Sequence, residues 1–239
     1  MSARTIRRRL NSYALPIVSP TPRRMVAIGD ATKIGQGWLL VIRDPSAGEN
    51  VYCRKVFSET TSDYQTARRE LEKESFVFSA FVGDGRVATP WVFGDIPVQM
   101  CHFHQEQIII KYTTQKPELP AGVQLLALAK TLAHTNKATF IKEFEAWCAR
   151  WKDFLNERSV DERGRRQFTH RRLRSARSSL RVHLPYLFTF EDYPELNIPN
   201  TTNSLDGSFK KVKTAISVHS GLTNERKLKL VMSLVMKAK

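Results

Sequence analysis

The sequence predicts an α/β protein, in which a mixed β-sheet is flanked by helices and an all-helical segment is inserted late in the chain. Apolar runs of strand length occupy the first hundred residues, and glycine, proline or aspartate bounds them. From about residue 104 to 186, apolar side chains recur at spacings of three and four, and we find no strand pattern there. The 239 residues are enough for one large domain or for a core with an insertion.

The N-terminal part predicts three strands, a helix and then strands that alternate with helices. Tyr64, Ala67 and Leu71 line one face of the first helix, at spacings of three and four. In chain order, we expect strands or helices at Met25–Asp30, Trp38–Ile42, Val51–Phe57, 62–74, Phe76–Val82, Thr89–Phe93 and Ile96–Met100. An antiparallel meander followed by a helix and by alternating elements is the order of the RNase H-like fold.

A stripe of aromatic residues marks one helix of the insertion. Its members recur at spacings of 4, 3, 4 and 3, the pattern of an amphipathic helix, and are Phe140, Phe144, Trp147, Trp151 and Phe154. A cofactor site is conceivable, but such a stripe is far more typical of a hydrophobic core, and we interpret it so. We divide the chain into a basic helix with a proline-rich linker, the first part of the core, a helical insertion and the C-terminal part of the core, over 1–22, 23–112, 113–190 and 191–239.

The charge of the chain restricts its partners. Lysine and arginine number 38 against 23 acidic residues, which gives a net charge of +15. Such a charge favours polyanionic partners, of which the phosphates of double-stranded DNA are the natural candidate. An anionic membrane surface is the alternative, but the sequence has no lipidation signal and no long apolar span. Three widely spaced cysteines favour reduced thiols, so we expect a cytoplasmic, nucleoid-associated protein with no membrane partner.

Three aspartates predict a metal site. Asp30 and Asp84 each end an apolar run, and Asp206 lies at the start of a basic C-terminal helix. Taken singly, each has an ordinary alternative: an aspartate after a strand is a common turn residue, and with Asn203 as N-cap, Asp206 would be a favoured first-turn acid. Taken together, they suit two magnesium ions about 3.5–4 Å apart, which need carboxylates from separate elements. The basic surroundings then point to metal-dependent cutting and joining of DNA.

Basic residues on two helices predict the surface that contacts DNA. Nine arginines lie between residues 158 and 183, and two lysines follow Asp206 by four and seven residues, on the same helical face. A run of charge is usually a solvated face, but few acids balance this one, which favours contact with phosphates. The residues that we assign to DNA are Arg171, Arg174, Arg177, Arg181, Lys210 and Lys213.

A Cys-x-x-His pair, Cys101 and His104, supplies only half of a zinc site. Cys53, Cys148 or His134 could complete it only if the fold brought one of them close. The alternative is that Cys101 is a core residue and that His104 caps or packs a helix.

Several segments resemble bacterial insertion-sequence transposases of the DDE type, in the Mutator-like group. The similarity is closest in the stretch from Pro194 to Gly207, which contains Asn200-Thr201-Thr202-Asn203 before Asp206, and it continues in His219-Ser220-Gly221-Leu222. Val98 to His104 resembles the Cys-x-x-His element of that family. Ile28-Gly29-Asp30 and Val82-Gly83-Asp84-Gly85 resemble the strands that carry its first two acids.

The resemblance implies an RNase H-like core with a helical insertion before the third acid. It implies hydrolysis at transposon ends that depends on Mg²⁺ or Mn²⁺, followed by attack of the freed 3′-hydroxyl on target DNA. Carried onto this chain, Asp30, Asp84 and Asp206 are the catalytic metal ligands. Cys101, His104 and Asn203 belong to accessory motifs. A homodimer or larger assembly on DNA is expected, since two ends must be joined.

The chain departs from the family pattern in two ways. The third acid is commonly glutamate, whereas Asp206 is one methylene shorter. The family also carries an N-terminal region that reads the transposon end, of which we recognise only a basic helix at Ser2–Leu10, so we expect a truncated copy. The rival hypotheses are an inactive remnant that only binds DNA, and an RNase H-like nuclease or resolvase.

Overall fold

The computed structural model describes residues 5, 8, 11–12, 20–35, 37–85, 88–218 and 221–236. Its elements are β1 (Arg24–Ile34), β2 (Gly37–Asp44), β3 (Glu49–Val56), α1 (Thr61–Lys73), β4 (Val77–Gly83), α2 (Ala88–Phe93), β5 (Val98–Met100), α3 (His102–Thr113), α4 (Pro120–Thr131), α5 (Lys137–Arg150), α6 (Lys152–Asn156), β6 (Arg158–Val160), β7 (Arg166–Phe168), α7 (Arg171–Leu187), α8 (Thr189–Asp192), a 3-10 turn (Pro194–Leu196), α9 (Asn203–Val218) and α10 (Asn224–Val235). Most of the predicted helix at Ser2–Leu10 lies outside the described residues.

Five strands form a mixed sheet in the order β3-β2-β1-β4-β5, with helices around it. The predicted meander is confirmed, because β1, β2 and β3 are antiparallel neighbours. The ladder between β1 and β2 continues to the pair Ile34 and Gly37, so only two residues connect the strands. Gly35, at φ 56°, takes the left-handed conformation that such a tight turn needs and that glycine adopts without strain.

The prediction that Asp30 ends a strand was wrong. Asp30 is the seventh of the eleven residues of β1, and it lies opposite Val41 of β2. The strand continues because the turn that follows is so tight that pairing persists up to it. Asp84 directly follows β4, as predicted. The fifth strand is shorter than expected, because it begins at Val98 and not at Ile96, whose amide instead donates to the carbonyl of Phe93 at the end of α2.

Helices α1 and α10 pack against the strands of the meander. Tyr64, Ala67 and Leu71 are the buried residues of α1, as their spacing predicted. The amide of Asn50 in β3 donates a hydrogen bond of 2.6 Å to the carbonyl of Val235 in α10. This bond joins β3, an edge strand of the sheet, to the last residue of α10.

One hydrophobic core joins α3, α4, α5 and α7. The aromatic stripe belongs to it, which confirms the interpretation as core: Phe140 and Phe144 are fully buried. The stripe runs over two helices rather than one, because Trp151, at φ −101° and ψ 15°, interrupts the helix between α5 and α6. The indole nitrogen of Trp151 instead donates to Gln124 of α4 at 2.9 Å.

The insertion is not all-helical, which corrects the predicted fold class. Strands β6 and β7 form an antiparallel hairpin, with Arg158 opposite Phe168. In its turn, Asp161 accepts hydrogen bonds from the amides of Arg163 and Arg165, and Gly164 adopts φ 75°. Strands of three residues are too short to show an alternation of apolar and polar side chains, especially among so many arginines. Gly164 was the one turn signal that the sequence offered there.

The chain divides into two compact units. The first covers Met1–Phe81, Val87–Ile96 and Thr202–Lys239, and the second covers Val82–Arg86 and Pro97–Thr201. The second unit thus contains β5 and α3 in addition to the predicted insertion at 113–190. Within the described ranges, no helix combines the length and the apolar composition that a membrane crossing requires.

Candidate functional site

Asp30 is a buried carboxylate in the middle strand of the sheet. The residue is only 7 % exposed, although aspartate is seldom buried without a partner or a function. Its Oδ1 accepts a hydrogen bond of 2.8 Å from the amide of Ala31. At Gly29, a Cβ atom would lie 2.5 Å from the ring of Phe81, so glycine is needed beside the acid. The Ile28-Gly29-Asp30 segment therefore has a packing reason as well as a chemical one.

Asp206 lies in the first turn of α9, which packs against β1 within the first unit. The alternative in which Asn203 is the N-cap does not match the structure, because the helix already begins at that residue and Asp206 is its fourth. The carbonyl of Thr202 accepts the amides of Leu205 and Asp206, at 2.8 and 3.4 Å. Leu205 is fully buried, which directs the neighbouring Asp206 to the border of the buried face.

Asp84 belongs to the second unit, and the residue after it must be glycine. Gly85 has φ 76°, and a Cβ atom there would collide with the side chain of Met100 in β5. Both observations favour glycine. The carbonyl of Gly83, on the other side of the acid, accepts a hydrogen bond of 2.8 Å from the amide of Cys101. The turn that carries Asp84 is therefore held at both of its neighbours.

The acids supply hard oxygen donors for a divalent cation. Among the residues that the structure describes, no group of three His, Cys, Asp or Glu side chains could hold a metal ion. Magnesium, however, commonly takes one or two protein carboxylates and completes its shell with water and substrate phosphates. Asp30 and Asp206, on packed elements of one unit, fit that donor chemistry for Mg²⁺ or Mn²⁺.

The Cys-x-x-His pair forms the start of α3. Cys101 is fully buried, and His104 is half-buried with its ring against that of Phe103. Within the described part of the chain, Cys53, Cys101 and Cys148 form no disulfide bond. Cys101 thus packs as a core residue, the alternative to zinc that the sequence left open. The His219-Ser220 part of the similarity lies outside the described residues, and the 3-10 turn Pro194–Leu196 precedes the Asn-Thr-Thr-Asn segment.

Arg174, one of the residues assigned to DNA, makes several contacts inside the second unit. Its Nη1 donates to the carbonyl of Leu155 at 2.9 Å and to Asn156 Oδ1 at 2.8 Å. Its guanidinium carbon also lies 3.5 Å from the ring centre of Phe168, and that of Arg158 lies at 4.2 Å. These contacts join the end of α6, the hairpin and α7.

The exposed basic residues are distributed over several elements. Arg177 is half-buried, and Arg181 approaches Glu145 of α5 at 3.8 Å. On the first unit, Lys210 and Lys213 are exposed on α9. Among the residues that the structure describes, the exposed arginines of the second unit are Arg150, Arg158, Arg163, Arg165, Arg166, Arg171, Arg172 and Arg181. A polyanion could therefore contact the hairpin as well as the predicted face of α7.

His183 is a candidate that sequence reasoning did not single out. Its Nδ1 lies 2.7 Å from Oε1 of the fully buried Gln105 in α3. Burial lowers the pKa of His183, while the Gly85 carbonyl and the charge of Asp84 oppose that shift. The sequence did contain a signal that His183 is buried. It follows Leu180 by three residues and Ala176 by seven, which places it on the apolar face of α7.

No protein-family model and no curated protein sequence matches this chain. Its function must therefore be argued from its own residues and contacts.

Proposed function

We propose that this chain is the catalytic domain of a DDE-type transposase of the Mutator-like group, with an RNase H-like core. It would cleave DNA at transposon ends and transfer the freed 3′-hydroxyl strand to target DNA. The observation that carries the proposal is Asp30, a buried acid in the middle strand, on which the helix that bears Asp206 packs. The order of the antiparallel meander, α1 and β4 supports the RNase H-like core.

In this proposal, Asp30, Asp84 and Asp206 hold Mg²⁺ or Mn²⁺. Bound metal supplies activation of the attacking water or 3′-hydroxyl and stabilisation of the leaving oxygen. The protein supplies rigidity: Asp30 projects from a paired strand, and the buried Leu205 anchors the turn that bears Asp206. Lys210 and Lys213 follow Asp206 on the exposed side of α9, where they would bind phosphates of double-stranded DNA beside the acid.

The test is nicking of supercoiled plasmid DNA in the presence of Mn²⁺ or Mg²⁺. Asp30→Asn, Asp84→Asn and Asp206→Asn should each abolish nicking, because an amide replaces a charged oxygen donor without changing the shape of the side chain. Asp153→Asn, at an exposed position of α6, is the matched control and should nick like the wild type. Thermal unfolding of all the variants checks that they are folded. Nicking at the wild-type rate by any of the three variants would remove that residue from the site.

A non-catalytic remnant that only binds DNA is the second candidate. It is favoured by the short third acid and by the fact that no three-ligand group is found among the described residues. Asp206→Glu distinguishes the two candidates, because glutamate restores the chain length that the resemblance leads us to expect. Faster nicking by this variant would indicate a weakened catalytic site. Duplex binding without nicking, in both proteins, would favour the remnant.

A further inference from the structure

The hairpin of β6 and β7 in the second unit carries a dense positive charge. Residues 158–172 contain six arginines against two acids, Asp161 and Glu162. The carboxylate of Asp161 is used inside the turn, because it accepts the amides of Arg163 and Arg165 and pairs with the guanidinium of Arg165 at 2.9 Å. The charge that the hairpin offers to a partner is therefore strongly positive.

The pairing of the two strands gathers exposed residues on one face of the hairpin. Residues directly opposite each other in an antiparallel pair share a face, and successive residues of a strand alternate between faces. Val160 lies opposite Arg166, and Arg158 is two residues before Val160, so the three side chains share one face. All three are exposed, and Val160 is apolar yet 63 % exposed. Arg163 and Arg165 are exposed in the turn beyond them.

The base of the hairpin is anchored to the rest of its unit. The ring of Phe168 contacts the guanidinium groups of Arg158 and Arg174, at 4.2 and 3.5 Å from the ring centre. The amide of Thr169, directly after β7, donates to the carbonyl of Glu157, directly before β6, at 3.0 Å. Stacking and hydrogen bonds thus fix the base, whereas the end that bears the turn is exposed to solvent.

We propose that this hairpin is a ribbon that binds double-stranded DNA by entering its major groove. A two-stranded β-ribbon is one of the elements that the major groove of B-DNA admits. Arg163 and Arg166 then bind phosphates at the rim of the groove or the acceptor edge of guanine, and Val160 contacts the methyl group of thymine. The inference rests on the proposed function for DNA as the natural ligand. It gives the insertion a DNA contact in addition to the basic face of α7.

The first measurement is the affinity of the full chain for a short labelled DNA duplex, without divalent metal. The double variant Arg163→Gln, Arg166→Gln should lower this affinity about tenfold at low salt. Both side chains are exposed and lie outside the contacts that hold the base, so the melting temperature should not change. Lys130→Gln, Lys142→Gln removes the same charge from exposed positions of α4 and α5 and is the matched control. Equal losses of affinity in the two double variants would overturn the proposal.

The second measurement uses a duplex in which glucosylated hydroxymethylcytosine replaces cytosine. The attached sugar fills the major groove and leaves the phosphates unchanged. The wild type should bind this duplex about tenfold more weakly than the unmodified one, whereas Arg163→Gln, Arg166→Gln should bind both with similar affinity. Equal binding of the two duplexes by the wild type would mean that the arginines act only on the phosphate backbone, and it would overturn groove entry.

Duplex RNA of the same sequence tests the alternative ligand. The major groove of A-form RNA is deep and narrow, so we expect the wild type to bind RNA at least about tenfold more weakly than DNA. RNA binding as tight as DNA binding, and lost in Arg163→Gln, Arg166→Gln, would overturn the proposal in favour of an RNA partner. None of these measurements requires catalysis. A wild type that does not nick plasmid DNA would refute the proposed function, while the duplex affinities would still decide the role of the hairpin.

Discussion

Helices α7 and α9 both present positive charge, but their basic residues are used differently. In α7, Arg172 donates to the carbonyls of Tyr112 and Lys111, at 3.0 and 2.5 Å, and Arg174 is bonded to the end of α6. In α9, Lys210 and Lys213 are exposed beside a face on which apolar residues are buried. Arg172 and Arg174 of α7 thus stabilise their own unit, whereas Lys210 and Lys213 of α9 face solvent.

The difference follows from the chemistry of the two side chains. Guanidinium is planar, carries five donors and stacks on aromatic rings, so it can join several carbonyls and a ring at once. The ammonium of lysine is a strongly hydrated point charge on a flexible stem, which suits a phosphate more than a packed junction. A count of arginines therefore overestimates the charge that α7 offers to DNA.

Arg174→Ala should have the largest effect on stability. It removes two hydrogen bonds and a contact with the ring of Phe168, so we expect a loss of about 2–3 kcal/mol. Urea unfolding measures this, with Arg171→Ala as the control, since Arg171 is exposed and donates only to Gln167 of β7, four residues earlier in the chain. If Arg174→Ala were as stable as the wild type and bound the duplex more weakly, Arg174 would bind DNA phosphates and would not stabilise the fold.

Asp44→Asn extends the comparison to Arg23, an arginine outside α7 that is paired with Asp44. Burial alone would raise the pKa of Asp44, but bonds from Ser46, Arg23 and Ala47, together with the charge of Arg23, hold it below its usual value. Ionised Asp44 therefore stabilises the fold fully above the pKa of aspartate in the unfolded chain, about 3.9. This stabilisation is lost as the pH falls through the lower pKa of Asp44 in the folded protein. We expect Asp44→Asn to cost about 2 kcal/mol at neutral pH.

The measurement is urea unfolding of both proteins across pH. The difference between wild type and Asp44→Asn should be constant down to about pH 5 and shrink below about pH 4. Asp95→Asn, which alters an exposed partner of Arg68, is the control and should cost less. A difference that does not depend on pH would mean that the charge of Asp44 is not what stabilises the fold.

The double variant Lys210→Ala, Lys213→Ala tests the other side of the comparison. If these lysines bind phosphates, affinity for a labelled duplex should fall about tenfold at low salt, and the slope of log K against log salt should decrease by about two. Stability should not change, because both residues are exposed. Lys130→Ala, Lys152→Ala removes the same charge from exposed positions of the second unit and is the matched control. Equal losses in both pairs would indicate a general effect of net charge.

Arg181→Ala should have the smallest effect. Its pair with Glu145 spans 3.8 Å, and both side chains are more than half exposed, at 56 % and 57 %. Such a pair contributes less than about 0.5 kcal/mol to stability. We therefore expect an unchanged melting temperature and a modest decrease in duplex affinity. If Arg181→Ala lost as much stability as Arg174→Ala, the exposure of an arginine would not distinguish a residue that contacts DNA from one that stabilises the fold.

The sequence was sufficient where a signal is local and repeated. The burial of Tyr64, Ala67 and Leu71 and the burial of the aromatic stripe followed from their spacing, because a helix repeats every 3.6 residues and its apolar face must find a core. The antiparallel meander and the position of Asp84 directly after β4 were likewise readable from apolar runs and the turn residues that bound them.

The tertiary structure decided what depends on distant partners. Asp30 lies inside β1 because pairing with β2 extends that strand, and the hairpin of the insertion exists because two three-residue strands find each other. Arg174 bonds to the carbonyl of Leu155, and His183 contacts the side chain of Gln105, two partners that are far away in sequence. Sequence alone determined the charge, the periodicities and the resemblance, whereas the use of each charged or polar side chain was set by the groups that folding placed beside it.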